Sequence, residues 1–316
     1  SGEENASYLV REILKADPGC RIIALGGERL AEAGAELLYP MEKYAFMGFS
    51  EIVAGLPSIM ALEKGLKRLV GGGTVDLFIP VDYPGMNLRL AAYARGKGVP
   101  VLYFIGPQIW AWGGWRMKKL RKIVDLMAVI LPFEEKLYRD AGIPVVFTGH
   151  PALEYIDSPP AAKSLPERGG EIRILLLPGS RRQEVKSLLP RMLGAAELIR
   201  ERIPGARFGL VLAPMIGDDE AGLSRDLRGA VTVTRNVADE LPKAALVIAA
   251  SGTATLQAAL SGTPAVVVYR TSALTFFLGK RLVRIPHIAL PNVLAGKRLL
   301  PELLQNDTTP ENIAGA

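Results

Sequence analysis

The sequence predicts an α/β protein made of two doubly wound parallel-sheet domains that face each other across a cleft. Three observations lead there. Short β-branched or apolar runs alternate with amphipathic helical stretches along almost the whole chain, the pattern of parallel strands joined by crossover helices. The length, 316 residues, exceeds that of a usual single domain. And residues 157–170, DSPPAAKSLPERGG, are rich in Pro, Ala, Gly and charge but poor in large apolar side chains, the composition of a connection rather than a core. They place one domain at 1–157 and the other at 171–316, with 158–170 as the linker.

Candidate strands before the linker fall at 21–25, 77–81, 101–105, 126–131 and 145–148. After it they fall at 172–177, 208–212, 231–233, 246–249 and 265–268. The opening residues, SGEENASYLVREILKADPG, read as a loop entering an amphipathic helix. Over 184–202, Val185, Leu188, Leu189, Met192, Leu193, Ala196 and Ile199 recur at helical spacing and define a core-facing stripe. No internal repeat is visible. In sheets of this kind ligands gather beyond the carboxyl ends of the strands, so the turns that follow strands are where chemistry is expected.

Composition narrows the classes. Hydrophobic residues make up 49% and charged residues 22%, which excludes a disordered chain. With one cysteine, Cys20, and two histidines, His150 and His287, a disulfide framework, a multi-cysteine zinc site and a three-histidine metal centre are excluded. No metal and no cofactor is expected. Lys and Arg total 38 against 32 for Asp and Glu, a net charge of +6 with a pI near 9.4. That balance favours anionic partners: nucleotide phosphates, nucleic acid or an acidic membrane surface. No secretory signal or membrane-spanning helix is read. The uncharged run 99–115 is interrupted by Pro100, Gly106, Pro107, Gly113 and Gly114.

Two turns combine small residues with helix starts. Gly179-Ser180-Arg181 follows the strand at 172–177 and precedes the long helix. Glycine there allows close backbone approach, the helix start offers N–H groups, and Arg181 adds a forked cation, all suited to phosphate. An ordinary strand-to-helix turn would look the same. Ser251-Gly252-Thr253 repeats the arrangement after the strand at 246–249, and two such turns point to a diphosphate or nucleotide; helix capping by Ser and Thr is compatible with both readings.

Asp82 follows the strand at 77–81 in VDYPGMN. A carboxylate there can serve as a general base if a substrate hydroxyl comes within reach, or it can close an Asx turn or cap a helix. Asn87 shares that ambiguity. Trp110 and Trp112 in PQIWAW are either packing anchors or the wall of a sugar or acyl site. His150, in Thr-Gly-His-Pro, is a structural hydrogen-bonding residue or a ligand contact. The basic run 116–122 reads as a solvated helix face. Residues 44–69 and 273–285 carry aromatic and aliphatic side chains flanked by cations, a pattern shared by buried helices and by segments lying on anionic lipid.

Nine short motifs stand in chain order: 45–53 (AFMGFSEIV), 81–87 (VDYPGMN), 107–112 (PQIWAW), 131–135 (LPFEE), 148–151 (TGHP), 177–181 (LPGSR), 250–256 (ASGTATL), 268–270 (VYR) and 290–296 (LPNVLAG). As a set they resemble the lipid-A-disaccharide synthase family. The resemblance implies two Rossmann-like domains of glycosyltransferase-B type and an inverting, metal-independent transfer. In that reaction a UDP-linked 2,3-diacylglucosamine passes its sugar to the 6-hydroxyl of 2,3-diacylglucosamine 1-phosphate.

It also implies roles for particular residues: Asp82 as base or acceptor-orienting carboxylate, Gly179, Ser180 and Arg181 with Ser251, Gly252 and Thr253 around the diphosphate, and Gln257 and Asn292 in the donor site. Ser1, Gly2, Glu3, Met47, Trp110 and His150 are the candidate acceptor or lipid residues. The family's surroundings would be the cytoplasmic face of a Gram-negative inner membrane, with the anionic lipid surface as a partner, no nucleic acid, and a homodimer left open. The chain departs from the pattern: Ser1-Gly2-Glu3 falls within a Gly-Glu-x-Ser-Gly-Asp turn with Glu3 where Asp is usual, Gly85 replaces an aspartate, and Gln257 stands where Glu is usual. The first strand and the C-terminal helices of the family are expected to lie outside it. The alternatives are another UDP-sugar transferase or epimerase of the same fold, or a non-catalytic lipid- or nucleotide-binding remnant.

Overall fold

A computed structural model of the chain describes residues 2–40, 49–155, 171–214, 216–218, 222, 231–272, 276 and 285–316. The chain folds as two compact units, Ser1–Pro151 and Ala152–Ala316. The expected linker, 158–170, lies outside the described residues.

The first unit opens with helix α1 (Gly2–Ala16), strand β1 (Ile23–Gly26), α2 (Glu28–Glu32) and β2 (Glu36–Pro40). The helix begins at once, where the sequence suggested a loop. Glu3 and Glu4 sit in its first turn, the end at which acidic side chains are favoured by the helix dipole. Strands β1 and β2 pair in parallel, and Val10, Leu30, Ala33 and Ala35 bury the contact. Then come α3 (Phe49–Val70), α4 (Pro84–Gly96), β3 (Leu102–Phe104), α5 (Met117–Ile123), β4 (Leu126–Val129), α6 (Pro132–Asp140) and β5 (Val145–Phe147). Strands β3, β4 and β5 form a parallel sheet around a core that includes Ala91, Val101, Tyr103, Leu120, Met127 and Tyr138. Arg89 of α4 forks onto Glu63 of α3 at 2.8 and 3.0 Å. With Lys67 adding a second cation, the Glu63 carboxyl is held below its usual pKa.

The segment 77–81 is not a full strand. It touches β3 only through isolated parallel bridges, Phe78 to Val101 and Val81 to Phe104. Pro80 lacks an N–H, so it accepts from Phe104 at 3.0 Å but cannot complete the ladder.

The second unit contains β6 (Ile172–Leu177), α7 (Arg182–Arg202), β7 (Ala206–Val211), β8 (Thr232–Thr234), α8 (Val237–Glu240), β9 (Leu246–Ala250), α9 (Thr253–Leu260), β10 (Ala265–Tyr269), α10 (Leu290–Ala295), β11 (Glu302–Leu304) and α11 (Pro310–Gly315). Its six described strands form one parallel sheet in the order β11-β10-β9-β6-β7-β8. Both faces are covered. Ile174 and Leu176 of β6 enter the core under α7 and α11, while Leu175 and Leu177 enter the core under α9. This is why β6 reads as an unbroken apolar run. Of the stripe foreseen on α7, all but Leu193 are buried, and Leu193 packs at the margin. The short β2 and β11 were not foreseen; β11 spans three residues, too few to show a strand period.

Leu188 is fully buried between α7 and the sheet. Leu188→Ala should destabilise the second unit by about 2–5 kcal/mol through lost burial and the cavity left behind, read from urea unfolding.

Candidate active site

Strands β6 and β9 are direct neighbours, with Leu177 level with Ala249, so the two glycine-containing turns leave the same edge of the sheet side by side. A Cβ built on Gly179, whose φ is +107°, would stand 3.4 Å from Ala250 Cβ and 2.5 Å from Glu184 Oε2. The left-handed backbone favours glycine there, and any Cβ would press on the Glu184 side chain. Ser180 and Arg181 are exposed, but Arg181 is already engaged. Its Nη1 donates to Glu184 Oε1 at 2.7 Å, and Glu184 Oε2 accepts from the Arg181 N–H at 3.4 Å. The start of α7 is therefore met by its own glutamate, the arrangement of a capping box.

The start of α9 is different. Among the described residues no side chain caps it, and none lies within 4 Å of a Cβ position on Gly252. Thr255 turns its hydroxyl back to the Gly252 carbonyl at 2.7 Å. Thr253 and Gln257, four residues apart and hence on one side of α9, are both half-buried. Of the two helix starts, α9 is the one whose first N–H groups no side chain meets among the described residues, the kind of helix end that suits an anion.

Ser251 donates to the Ile288 carbonyl at 2.9 Å, which ties this turn to the segment leading into α10. There a buried network takes over. The Glu302 carboxylate accepts from the Ala289 N–H at 3.0 Å, the Ile288 N–H at 3.2 Å and Asn292 Nδ2 at 2.7 Å. Asn292 is fully buried. Its Nδ2 also donates to the Leu300 carbonyl at 2.9 Å, and its Oδ1 accepts from the Leu299 and Leu300 N–H groups at 2.8 Å each. All four hydrogen-bonding capacities of that amide are spent inside the protein. The geometry gives Asn292 the task of holding the α10 turn rather than presenting its amide to a ligand. Glu302 went unnoticed in the sequence because its partners are ten to fourteen residues away.

In the first unit Asp82 lies in a tightly fixed turn. Asp82 and Tyr83 both have left-handed backbones, with φ of 46° and 38°, a conformation that costs about 1–3 kcal/mol per residue. Surrounding groups hold it. The Asp82 carbonyl accepts from the buried Tyr103 hydroxyl at 2.9 Å and from Asn87 Nδ2 at 2.9 Å, and Asn87 also donates to the Val81 carbonyl at 3.1 Å. The capping alternative fails, because Tyr83 occupies the cap position of α4 and no side chain caps it. The Asp82 side chain is exposed and accepts no hydrogen bond among the described residues.

Trp110 is half-buried. Its indole N–H donates to Glu134 Oε1 at 2.9 Å, and its ring meets Phe133 edge to face at 5.2 Å. Glu134, within LPFEE, accepts as well from the Leu131 N–H at 3.1 Å; burial pushes its carboxyl above the usual pKa. His150 is half-buried and its imidazole is held below its ordinary pKa by burial. Glu3 accepts from the Arg29 N–H at 3.1 Å, serving the start of α2, which has no cap of its own; Gly2 begins α1. Ser1 and Met47 lie outside the described residues, as do most of 273–285 and the side chains of 44–57.

The profile of the Lipid-A-disaccharide synthetase family matches residues 1–316. The chain belongs to the lipid-A-disaccharide synthase family. It is 44% identical over 323 residues to the lipid-A-disaccharide synthase of Trichlorobacter lovleyi, covering 100% of this chain and 84% of that protein. It is 40% identical to the one from Geobacter sulfurreducens, covering 99% and 83%. The lipid-A-disaccharide synthase fold is shared with a glycotransferase of kitacinnamycin (TM-score 0.58, 15% identity, 98% of this chain and 85% of that one). It is shared also with a putative UDP-N-acetylglucosamine 2-epimerase from Listeria monocytogenes (TM-score 0.55, 12% identity, 93% and 84%). As a lipid-A-disaccharide synthase family member of this architecture, the chain is a glycosyltransferase.

Because the folded pKa of Glu134 lies above its unfolded value of 4.5, ionising it opposes folding progressively as pH rises from about 4.5 through the folded pKa. Glu134→Gln removes that penalty. The Tm of the variant minus that of the unaltered chain should therefore rise with pH over this window, as thermal unfolding across a pH series will read.

Proposed function

We propose that the chain carries out the family's transfer with Asp82 as the base of its first unit and the open start of α9 as the diphosphate seat of its second. The donor is UDP-2,3-diacylglucosamine and the acceptor 2,3-diacylglucosamine 1-phosphate. The acceptor 6-hydroxyl gives its proton to Asp82 as its oxygen bonds to the anomeric carbon of the donor. The bond from that carbon to the diphosphate breaks, and its electron pair leaves on UDP. Inversion at carbon gives the β-1,6 disaccharide 1-phosphate. An alcohol is too weak an acid to attack readily unaided, so a positioned carboxylate speeds the step. Charge growing on the diphosphate is stabilised by the N–H groups at Thr253 and Ala254 and by the Arg181 guanidinium once it turns from Glu184.

The observation that carries this reading is the Asp82 turn: its backbone is pinned by Tyr103 and Asn87 while its carboxylate stays exposed and without a hydrogen bond among the described residues. Strained backbone held in place by its neighbours is characteristic of functional sites. The acylated substrates and the net charge of +6 support work at the anionic cytoplasmic face of the inner membrane as a peripheral protein. Among the described residues no helix is long and apolar enough to cross a membrane.

Asp82→Asn should lower kcat by a factor of about 100 or more while UDP affinity, titrated calorimetrically, stays within about twofold; an unchanged kcat removes Asp82 as the base. Arg181→Ala should weaken UDP binding by about 1.5–3 kcal/mol, the range for hydrogen bonds to charged groups, toward the low end because Glu184 competes for the guanidinium. Equal UDP affinity in that variant would exclude Arg181 from the donor site.

A further inference from the structure

We propose that Trp112, Arg116 and Trp115, with the cationic side of α5, form the surface on which this chain docks to an anionic lipid bilayer. The proposal rests on the reading above that the substrates are acylated lipids, and it names the part of the molecule that meets them at the membrane.

Tryptophan is usually well buried, yet Trp112 is 42% and Trp115 73% exposed. The two indoles are not loose. The Arg116 guanidinium lies 4.2 Å from the centroid of Trp112 and 4.8 Å from that of Trp115, so one cation joins both rings. The intervening turn makes this possible. Gly113 adopts a left-handed φ of 78°, Arg116 N–H bonds back to the Gly113 carbonyl at 2.9 Å, and a Cβ on Gly113 would stand 2.9 Å from Arg116 Nη1. Behind the turn, the Tyr138 hydroxyl fixes the Pro107 carbonyl at 3.0 Å and Glu134 fixes Trp110. The exposed rings therefore project from a rigid base.

Helix α5 follows directly. Leu120 and Ile123 anchor it in the core, while Lys118, Lys119, Arg121 and Lys122 are exposed. No acidic residue occurs from 111 to 124, and the next one, Asp125, is held by Arg95 at 2.8 Å and by the Val101 N–H at 2.9 Å. Exposed indoles beside a polybasic face match the two sides of an anionic bilayer surface: indole rings settle among headgroups and upper acyl carbons, and lysines and arginines pair with lipid phosphates. Together they combine the two terms on which interfacial binding strength depends, buried apolar area and attraction to anionic lipid. A nucleic acid would satisfy the cations, but Arg116 already lies over both indoles, where bases would have to stack.

The test uses the full chain and sedimentation with vesicles of about one-third phosphatidylglycerol in phosphatidylcholine, a charge density at which polybasic segments bind, against phosphatidylcholine alone. The chain should bind the anionic vesicles and release from them as salt rises. Trp115→Ala and Lys118→Glu/Lys119→Glu should each lower the partition coefficient about tenfold. Circular dichroism should show unchanged folds, since these side chains are exposed. In the unaltered chain, lipids brominated near the headgroup should quench tryptophan emission, and Trp115→Ala should remove much of that quenching. Failure of the unaltered chain to bind, equal binding by the variants, or tighter binding to duplex DNA than to the anionic vesicles overturns the proposal. UDP titration separates this from the functional reading: a chain that binds UDP but not vesicles defeats the docking surface alone, and one that binds vesicles but not UDP defeats the donor site alone.

Discussion

The side-by-side parallel pairing of β6 and β9 organises the second unit of this protein. Because Leu177 and Ala249 are level in neighbouring strands, the chain must leave the sheet twice at one place, each time into a helix. The close approach of Gly179 to Ala250 follows directly, and so do two helix starts that follow neighbouring strand ends. Parallel strands buried on both faces supply the rigidity. The alternate side chains of β6 feed two different cores, so a shift of either strand would disturb both.

The two helix starts nevertheless differ in kind. At α7 a glutamate of the helix itself meets the first N–H and draws Arg181 toward it. At α9 no side chain among the described residues plays that part. The first N–H groups of α7 are thus met by a paired glutamate, and those of α9 by no side chain among the described residues. The buried Glu302 and Asn292 network keeps the neighbouring α10 turn in register, and the Ser251 bond to Ile288 links that turn back to α9. Asn292 thus holds the backbone of the α10 turn.

In the first unit the same economy of backbone operates on a smaller sheet. Pro80 prevents 77–81 from becoming a full strand, and the loosened segment enters the left-handed turn at Asp82 and Tyr83. Tyr103 and Asn87 compensate by hydrogen bonding to the carbonyl of Asp82, leaving its carboxylate outside the network. Glu134 plays a comparable part for the PQIWAW loop, at the cost of a carboxyl whose ionisation is opposed by burial.

Periodicity alone determined the α/β class, most strands and the buried stripe of α7, because alternation of apolar runs and helical faces is a local property written every two or three to four residues. The motifs alone determined the family, since PQIWAW, LPGSR and LPNVLAG in that order are specific whatever their geometry. What only the tertiary structure decided is which polar groups are already spoken for. Arg181 reads as a free cation and is paired; Asn292 reads as a ligand and is internally saturated; Glu302 and Tyr103 read as ordinary residues and hold the turns; Trp115, inconspicuous in the sequence, stands out in solvent. Hydrogen-bond partnership depends on distances between residues far apart in the chain, and no local pattern encodes it.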